Sequence, residues 1–166
     1  GSHQAIEDIA LMRIIPGMTV ISPSDGMSAR MLIREAASLT GPVYVRLGRS
    51  AVPGIHEENS DVQIGKGICV IDGSDYTVIA TGVMVNEAMI AAKALAGEGI
   101  SLRVIDIHTI KPIDKEIIIK VVVKNCPVKM AFVGIQDTFG ESGKPAELLV
   151  KYGLTADDIA KAVRSL

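Results

Sequence analysis

Short runs of β-branched and apolar residues alternate along the chain with longer stretches in which apolar residues recur every three or four positions. That alternation predicts an α/β protein. Thr19-Val20-Ile21-Ser22 has the length and composition of a short buried strand, and Ser24 or Asp25 offers the N-cap of a following helix. Leu32, Ala36 and Leu39 recur at helical spacing, and Gly41-Pro42 stops the helix before a β-rich run over 43–47. Strand, helix and strand make one βαβ crossover. Upstream, Ala5 to Arg13 reads as a short helix ended by Pro16-Gly17, with nothing before it to connect to, so the chain is expected to begin inside a domain.

Residues 51–66 change character, with Pro53, Gly54, the polar run Glu57-Glu58-Asn59-Ser60-Asp61 and Gly65. They predict a linker over the surface between a first unit, 1–50, and a second, 67–166. The second unit opens with two strands over 68–71 and 76–80, expected to pair like a hairpin through Asp72-Gly73-Ser74-Asp75. Asn86 is expected to cap a helix striped by Ala88, Ala91, Ala92 and Leu95, which Gly97 and Gly99 end before a strand over 101–107. Asp114 is expected to cap a third helix, despite the strand propensity of Ile117-Ile118-Ile119 and Val121-Val122-Val123. A strand over 128–133, a short helix over 145–151 started by its proline, and a last helix capped by Thr155 complete the reading. Ile159, Ala162, Val163 and Leu166 form the stripe of that last helix.

Charge and composition narrow the function. Seventeen basic residues against nineteen acidic ones leave a net charge of −2, which gives no electrostatic footprint for nucleic acid or for an anionic membrane. Apolar runs are broken well short of a membrane span and nothing at the start reads as a signal peptide, so the expected location is cytoplasmic. Cys69 and Cys126 lack metal or redox spacing and are expected to be buried, reduced thiols. Without tryptophan and with few other aromatic residues, the chain must hold any ligand by backbone, charge and small side chains.

Few residues offer chemistry. Gly-Ser-His at an amino terminus also matches the remnant of a cleaved affinity tag, so the residues alone leave the role of His3 open. Arg49 follows a strand, where open α/β sheets bind ligands, and its planar guanidinium suits a phosphate; an exposed loop arginine is the equal alternative. Thr81-Gly82-Val83-Met84-Val85-Asn86 joins strand to helix with one glycine, and reads as a tight turn rather than an anion cradle. His108 titrates near neutrality in water but is more often a buried structural residue in such a context. Gly140-Glu141-Ser142-Gly143-Lys144-Pro145 departs from a phosphate loop, with proline where Ser or Thr should hold Mg²⁺, and reads as a structural turn. No Ser/His/Asp set or metal-ligand cluster emerges.

Taken together, the stretches 2–13, Pro16-Gly17-Met18, Ser22-Pro23-Ser24-Asp25, Gly41-Pro42-Val43-Tyr44-Val45-Arg46 and Gly48-Arg49 resemble the second half of the transketolase pyrimidine-binding domain. Ala80-Thr81-Gly82, the run Ile107-His108-Thr109-Ile110-Lys111-Pro112-Ile113-Asp114, and Asp137-Thr138-Phe139-Gly140-Glu141-Ser142-Gly143 resemble the transketolase C-terminal domain, most closely the C-terminal subunit of split transketolases. The resemblance implies an incomplete thiamine-enzyme pyrimidine domain followed by a three-layer α/β C-terminal domain with a mixed sheet.

It further implies transfer of a two-carbon ketol unit between sugar phosphates by a complete enzyme that uses thiamine diphosphate and Mg²⁺. His3 would touch the sugar at the mouth of the site and Arg49 would bind its phosphate. The activating glutamate and the residues around the aminopyrimidine would lie upstream of Gly1, and the diphosphate and metal ligands in an N-terminal subunit or domain. This chain alone is therefore expected to be inactive, and to work in a homo- or hetero-oligomer. Between Lys124 and Cys126 the resemblance lacks about one βα unit, so the chain reads as segments joined end to end. Deoxyxylulose-phosphate synthase and thiamine-dependent 2-oxoacid dehydrogenase components share both domains, and a non-catalytic assembly or regulatory module is the alternative of another class.

Overall fold

Asp25 decides where the first crossover turns. Its Oδ1 accepts from the Ser28 N–H at 2.8 Å while Ser28 Oγ accepts from the Asp25 N–H at 3.0 Å, a reciprocal pair that satisfies donors the first turn leaves free. In this computed structural model, which describes residues 5, 7–123, 129–136, 138 and 140–166, the first unit comprises α1 (Asp8–Ile14), β1 (Thr19–Ile21), α2 (Gly26–Ala36) and β2 (Val43–Val45). β1 and β2 pair in parallel with Thr19 opposite Val43. Ile21 and Leu32 are fully buried and form a cluster with Val62. His3 and the stretch from Lys124 to Cys126 lie outside the described residues.

The second sheet contains β3 (Ile68–Ile71), β4 (Tyr76–Ala80) and β5 (Leu102–Asp106) in the order β3-β5-β4. The expected hairpin is not formed: β5 lies between the two strands, antiparallel to β3 and parallel to β4. The Asp72-Gly73-Ser74-Asp75 turn instead straddles the start of β5. Asp75 N–H donates to the Ser101 carbonyl at 2.9 Å, Ser101 N–H returns a bond to Asp75 Oδ2 at 2.8 Å, and a Cβ on Gly73 would lie 2.4 Å from the Leu102 carbonyl carbon. Only a glycine lets the turn pass that closely.

α3 (Met84–Ala96) crosses from β4 to β5. Asn86 does not cap it: the helix begins earlier, with Val83 at the N-cap, because Met84 and Val85 N–H already bond the Thr81 and Gly82 carbonyls. Gly97 closes it as its sequence predicts. α4 (Lys115–Val123) starts at Asp114, whose Oδ1 accepts from the N–H groups of Glu116 and Ile117. α5 (Pro145–Lys151) has its proline in the first turn, and α6 (Ala156–Arg164) is capped reciprocally by Thr155 and Asp158. α3 packs on α6 and on β5, in a cluster that buries Ala88, Ala91, Leu95, Val104, Ile159 and Val163.

Three further expectations are corrected. Lys129 to Val133 form no strand, and Met130 and Phe132 are 64% and 84% exposed. Val121 and this segment border an apolar cavity of about 760 Å³, whose other walls are β4 and α6. Cys69 is exposed rather than buried, since β3 is an edge strand of its sheet among the described residues. The 51–66 stretch does not simply cross the surface, because His56 and Val62 are both buried.

The two units also share a sheet that the sequence pattern does not reveal. β6 (Thr109–Lys111) follows β5 by two residues and pairs antiparallel with β1, giving the first sheet the order β2-β1-β6. Lys111 Nζ then donates to the Arg13 and Ile15 carbonyls at the end of α1. No helix among the described residues is long and apolar enough to cross a membrane.

Candidate functional site

Arg49 lies where the first sheet releases the chain. The Arg46 N–H donates to the Ile21 carbonyl at 2.8 Å, extending the β1–β2 pairing by one residue, and the backbone then leaves at the carboxyl end of parallel strands. That end is where ligands gather in open α/β sheets. Arg49 is exposed, and its Nη2 donates to the Gly143 carbonyl at 3.3 Å. Two stretches singled out separately in the sequence, Gly48-Arg49 and the Gly140 to Gly143 turn, therefore meet. One long bond to a neutral carbonyl leaves most of the guanidinium fork available to an incoming anion.

The Gly140 to Pro145 turn is itself structural. A Cβ on Gly143 would lie 3.1 Å from Leu148 Cδ2, and Lys151 Nζ reaches back to Glu141 Oε2 at 2.5 Å. Asp137 and Phe139 of the neighbouring stretch lie outside the described residues. The Thr81–Gly82 turn offers no cradle either. Gly82 adopts a positive φ of 55°, a Cβ there would lie 2.9 Å from Ser22 Oγ, and Thr81 Oγ1 donates to the Ser22 carbonyl, so the turn is filled by the loop after β1.

α1, which follows the segment carrying His3, is docked by a charged cluster absent from the sequence reading. Asp8 is nearly buried against β2, where Tyr44 Oη donates to its Oδ2 at 2.7 Å and Arg46 Nε reaches the same oxygen at 3.0 Å. Burial pushes the Asp8 carboxyl up, but the Tyr44 and Arg46 bonds outweigh it and hold it below the ordinary value. Its negative charge in turn pushes the Tyr44 phenol up, chiefly through their shared hydrogen bond.

A second polar cluster joins the two sheets. Asp106, fully buried at the end of β5, accepts at Oδ2 from Ser24 Oγ at 2.6 Å and lies 2.9 Å from His56 Nε2. The His56 and Ile55 N–H groups donate to Asp25 Oδ2 at 2.9 and 2.7 Å. Burial pushes the Asp25 carboxyl up, yet the bonds from His56, Ser28 and Ile55 prevail and hold it below the usual range. His108 is fully buried and sits inside this seam rather than at a ligand mouth. Nothing in the local sequence of His56, just before the polar run over 57–61, signals this role.

Among the described residues no group of three or more His, Cys, Asp or Glu side chains is placed to hold a metal ion. Thiamine diphosphate bound through a cation would need such ligands, together with an acid facing its aminopyrimidine. The buried acids Asp8, Asp25, Asp106 and Asp114 are instead occupied by internal hydrogen bonds. The described residues do not fit that group.

Comparison with known proteins identifies relatives. Residues 1–54 match the transketolase pyrimidine binding domain and residues 65–132 the transketolase C-terminal domain. The chain is 37% identical to the 6-deoxy-6-sulfo-D-fructose transketolase subunit SqwH of Clostridium sp. (strain MSTE9), an alignment covering 100% of this chain and 60% of that protein. It is 42% identical to a transketolase C-terminal section of Methanocaldococcus jannaschii, over 98% of this chain and 60% of that one. A solved structure, a split gene transketolase in an inactive beta4 tetramer, superposes with a TM-score of 0.88 at 39% identity, covering 99% of this chain and 62% of that chain. The chain thus spans about 60% of the length of these curated relatives. The first alignment occupies 192 positions against the 166 residues here, so it includes positions that this chain lacks between its matched segments.

Proposed function

Because this chain belongs to the transketolase family, we propose that it is the C-terminal component of a split transketolase, moving a two-carbon ketol unit between sugar phosphates once its N-terminal partner is present. Residues 1–50 act as the end of a pyrimidine-binding domain and 67–166 as the C-terminal domain, joined by 51–66. The partner supplies the ligands for thiamine diphosphate and Mg²⁺, and the assembly is an oligomer working in the cytoplasm. The cofactor supplies the carbanion chemistry. The part played by this chain is to orient the sugar: Arg49 grips the phosphate through parallel N–H donors, and His3 contacts the sugar at the mouth of the site.

The observation that carries this reading is the place of Arg49, at the carboxyl end of β1 and β2 and beside the Gly140 to Gly143 turn. Such a site rewards a terminal phosphate and holds the rest of the substrate at fixed distance from the reacting carbon.

The test is reconstitution with an N-terminal transketolase subunit, thiamine diphosphate and Mg²⁺. Ketol transfer is expected from the mixture and none from the chain alone. Arg49→Ala should raise KM for a phosphorylated ketose about tenfold or more, the equivalent of losing one charge-assisted bond of roughly 1.5–3 kcal/mol. His3→Ala should impair use of the same substrate. If reconstitution succeeds and both variants keep the parental KM, the site assignment is wrong; if no transfer appears with a competent partner, the function is.

A further inference from the structure

The seam between the sheets holds ionisable groups for which the proposed reaction has no use. Asp106 ends β5, and its fully buried carboxylate ties together three separate elements. Ser24 belongs to the loop after β1 and His56 to the 51–66 connector, and both reach the same Oδ2. His108 lies two residues beyond Asp106, accepts at its carbonyl from the Ser22 N–H at 2.7 Å, and leads directly into β6. One carboxylate thus ties the loop after β1 and the connector to the end of β5.

The His108 ring makes one hydrogen bond among the described residues. Thr109 Oγ1 accepts from the Gly65 N–H at 3.0 Å, and lies 3.2 Å from His108 Nδ1. Thr109 is itself buried, so its hydroxyl proton needs an acceptor, and Nδ1 supplies one when the ring proton resides on Nε2. Nε2 then has no partner among the described residues, and neither does Asp106 Oδ1. A second proton on the ring would place a cation in a dry corner. The charged or titratable groups that bear on it are Asp106 from β5, His56 from the connector and Glu35 from α2. Asp106 is engaged by Ser24 and His56 through Oδ2, Glu35 Oε2 is committed to the Ile64 N–H at 2.8 Å, and neither carboxylate bonds the ring.

We infer that Asp106, Ser24, His56 and His108 form a proton-operated latch: it holds the connector and the loop after β1 against the end of β5 while His108 is neutral, and releases them when His108 takes up a proton. Burial, the dominant influence on the ring, pushes the His108 pKa down despite the opposing pull of Asp106. The sign follows. The open form binds the proton at an ordinary histidine pKa of about 6.5, the closed form only at lower pH. Closure is therefore fully favoured above about pH 6.5 and loses ground as pH falls below it, by at most about tenfold per pH unit, until the closed-form pKa is reached.

Amide hydrogen exchange on the intact chain between pH 7.5 and 5.5 tests this, corrected for intrinsic exchange rates and read together with ring nitrogen shifts. The Ser22, Ile55 and His56 amides should lose about tenfold in protection across the range, while Val104 and Leu95 stay constant. His108→Gln, which cannot take up the proton, should reduce the change to less than twofold. His56→Gln keeps an N–H donor toward Asp106 and should leave the pH dependence in place. Protection independent of pH, dependence abolished by His56→Gln rather than His108→Gln, or a folded His108 ring titrating at or above 6.5 would each overturn the latch. Should His108→Gln fail to fold, the parental profile, the His56→Gln profile and the ring titration still decide. None of these readouts depends on the partner subunit or on ketol transfer.

Discussion

The second sheet packs Ala88, Ala91, Leu95, Leu102, Val104, Ile159 and Val163 into one apolar cluster with α3 and α6, whereas the buried cluster of the first sheet among the described residues is smaller, formed by Ile21, Leu32 and Val62. What the first sheet lacks in apolar burial it recovers through charge. Asp8 fastens α1, Asp25 fastens the connector, and Asp106 fastens the connector and the loop after β1 to β5. The two halves should therefore respond to different insults. An apolar cluster is non-directional and tolerates small shifts, while a buried carboxylate depends on each donor staying in place.

The sharpest contrast comes from truncating one side chain in each half. Leu95→Ala removes a fully buried side chain from the larger cluster and should cost about 3 kcal/mol, read as a lower urea midpoint that is insensitive to pH. Asp25→Ala removes the cap of α2 and strands the Ile55, His56 and Ser28 N–H groups, for about 2 kcal/mol near neutrality. Its loss should depend on pH. The Asp25 carboxyl is held below its ordinary value, so its contribution is complete above about pH 4 and disappears as pH falls through the folded pKa. The parental chain and Asp25→Ala should converge in stability at strongly acidic pH. If they stay apart by the same amount at every pH, the carboxylate bonds are not what holds the connector.

Most of the second sheet and its helices were legible in the sequence because burial there follows a period. The stripe of Ala88, Ala91, Ala92 and Leu95 announces α3, and the Pro145 and Thr155 starts announce α5 and α6. Strand order was not legible. Asp72-Gly73-Ser74-Asp75 has hairpin composition, yet the same residues bracket Ser101 and let β5 insert between β3 and β4. β6 is three residues long and shows itself only by pairing with β1 across the chain. The latch residues were hidden for a related reason. Ser24, His56 and Asp106 are dispersed polar residues whose meaning is their convergence, and no local spacing encodes it. Arg49 was readable as a candidate because its position after a strand is local; its contact with Gly143 was not.

Gly73 allows a test of the strand order itself. Its missing side chain makes room for the Leu102 carbonyl carbon, and Gly73→Ala should force the turn away from β5 at about 1–2 kcal/mol. The amides of Ser74 and Ser101, which bond across that turn, should lose protection first. An alanine accepted without loss would mean that the turn is not held against β5 in solution.

The smallest effect separates the charged docking of α1 from mere contact. Tyr44→Phe keeps the aromatic ring on β2 but removes the hydroxyl donor to Asp8, leaving Arg46 as the remaining side-chain partner, among the described residues, of a nearly buried carboxylate. The cost should be about 1 kcal/mol, because the Arg46 bonds persist and the arginine is partly solvated. The acid limb is more diagnostic than the midpoint. Without the Tyr44 bond the Asp8 pKa should rise toward its ordinary value, so the parental advantage is present above about pH 4 and shrinks as Asp8 protonates. The seam amides of Ile55 and His56 should remain protected, since their bonds run to Asp25. If they weaken together with α1, the first sheet behaves as one cooperative unit, and its carboxylate contacts act as a single network rather than as separate clasps.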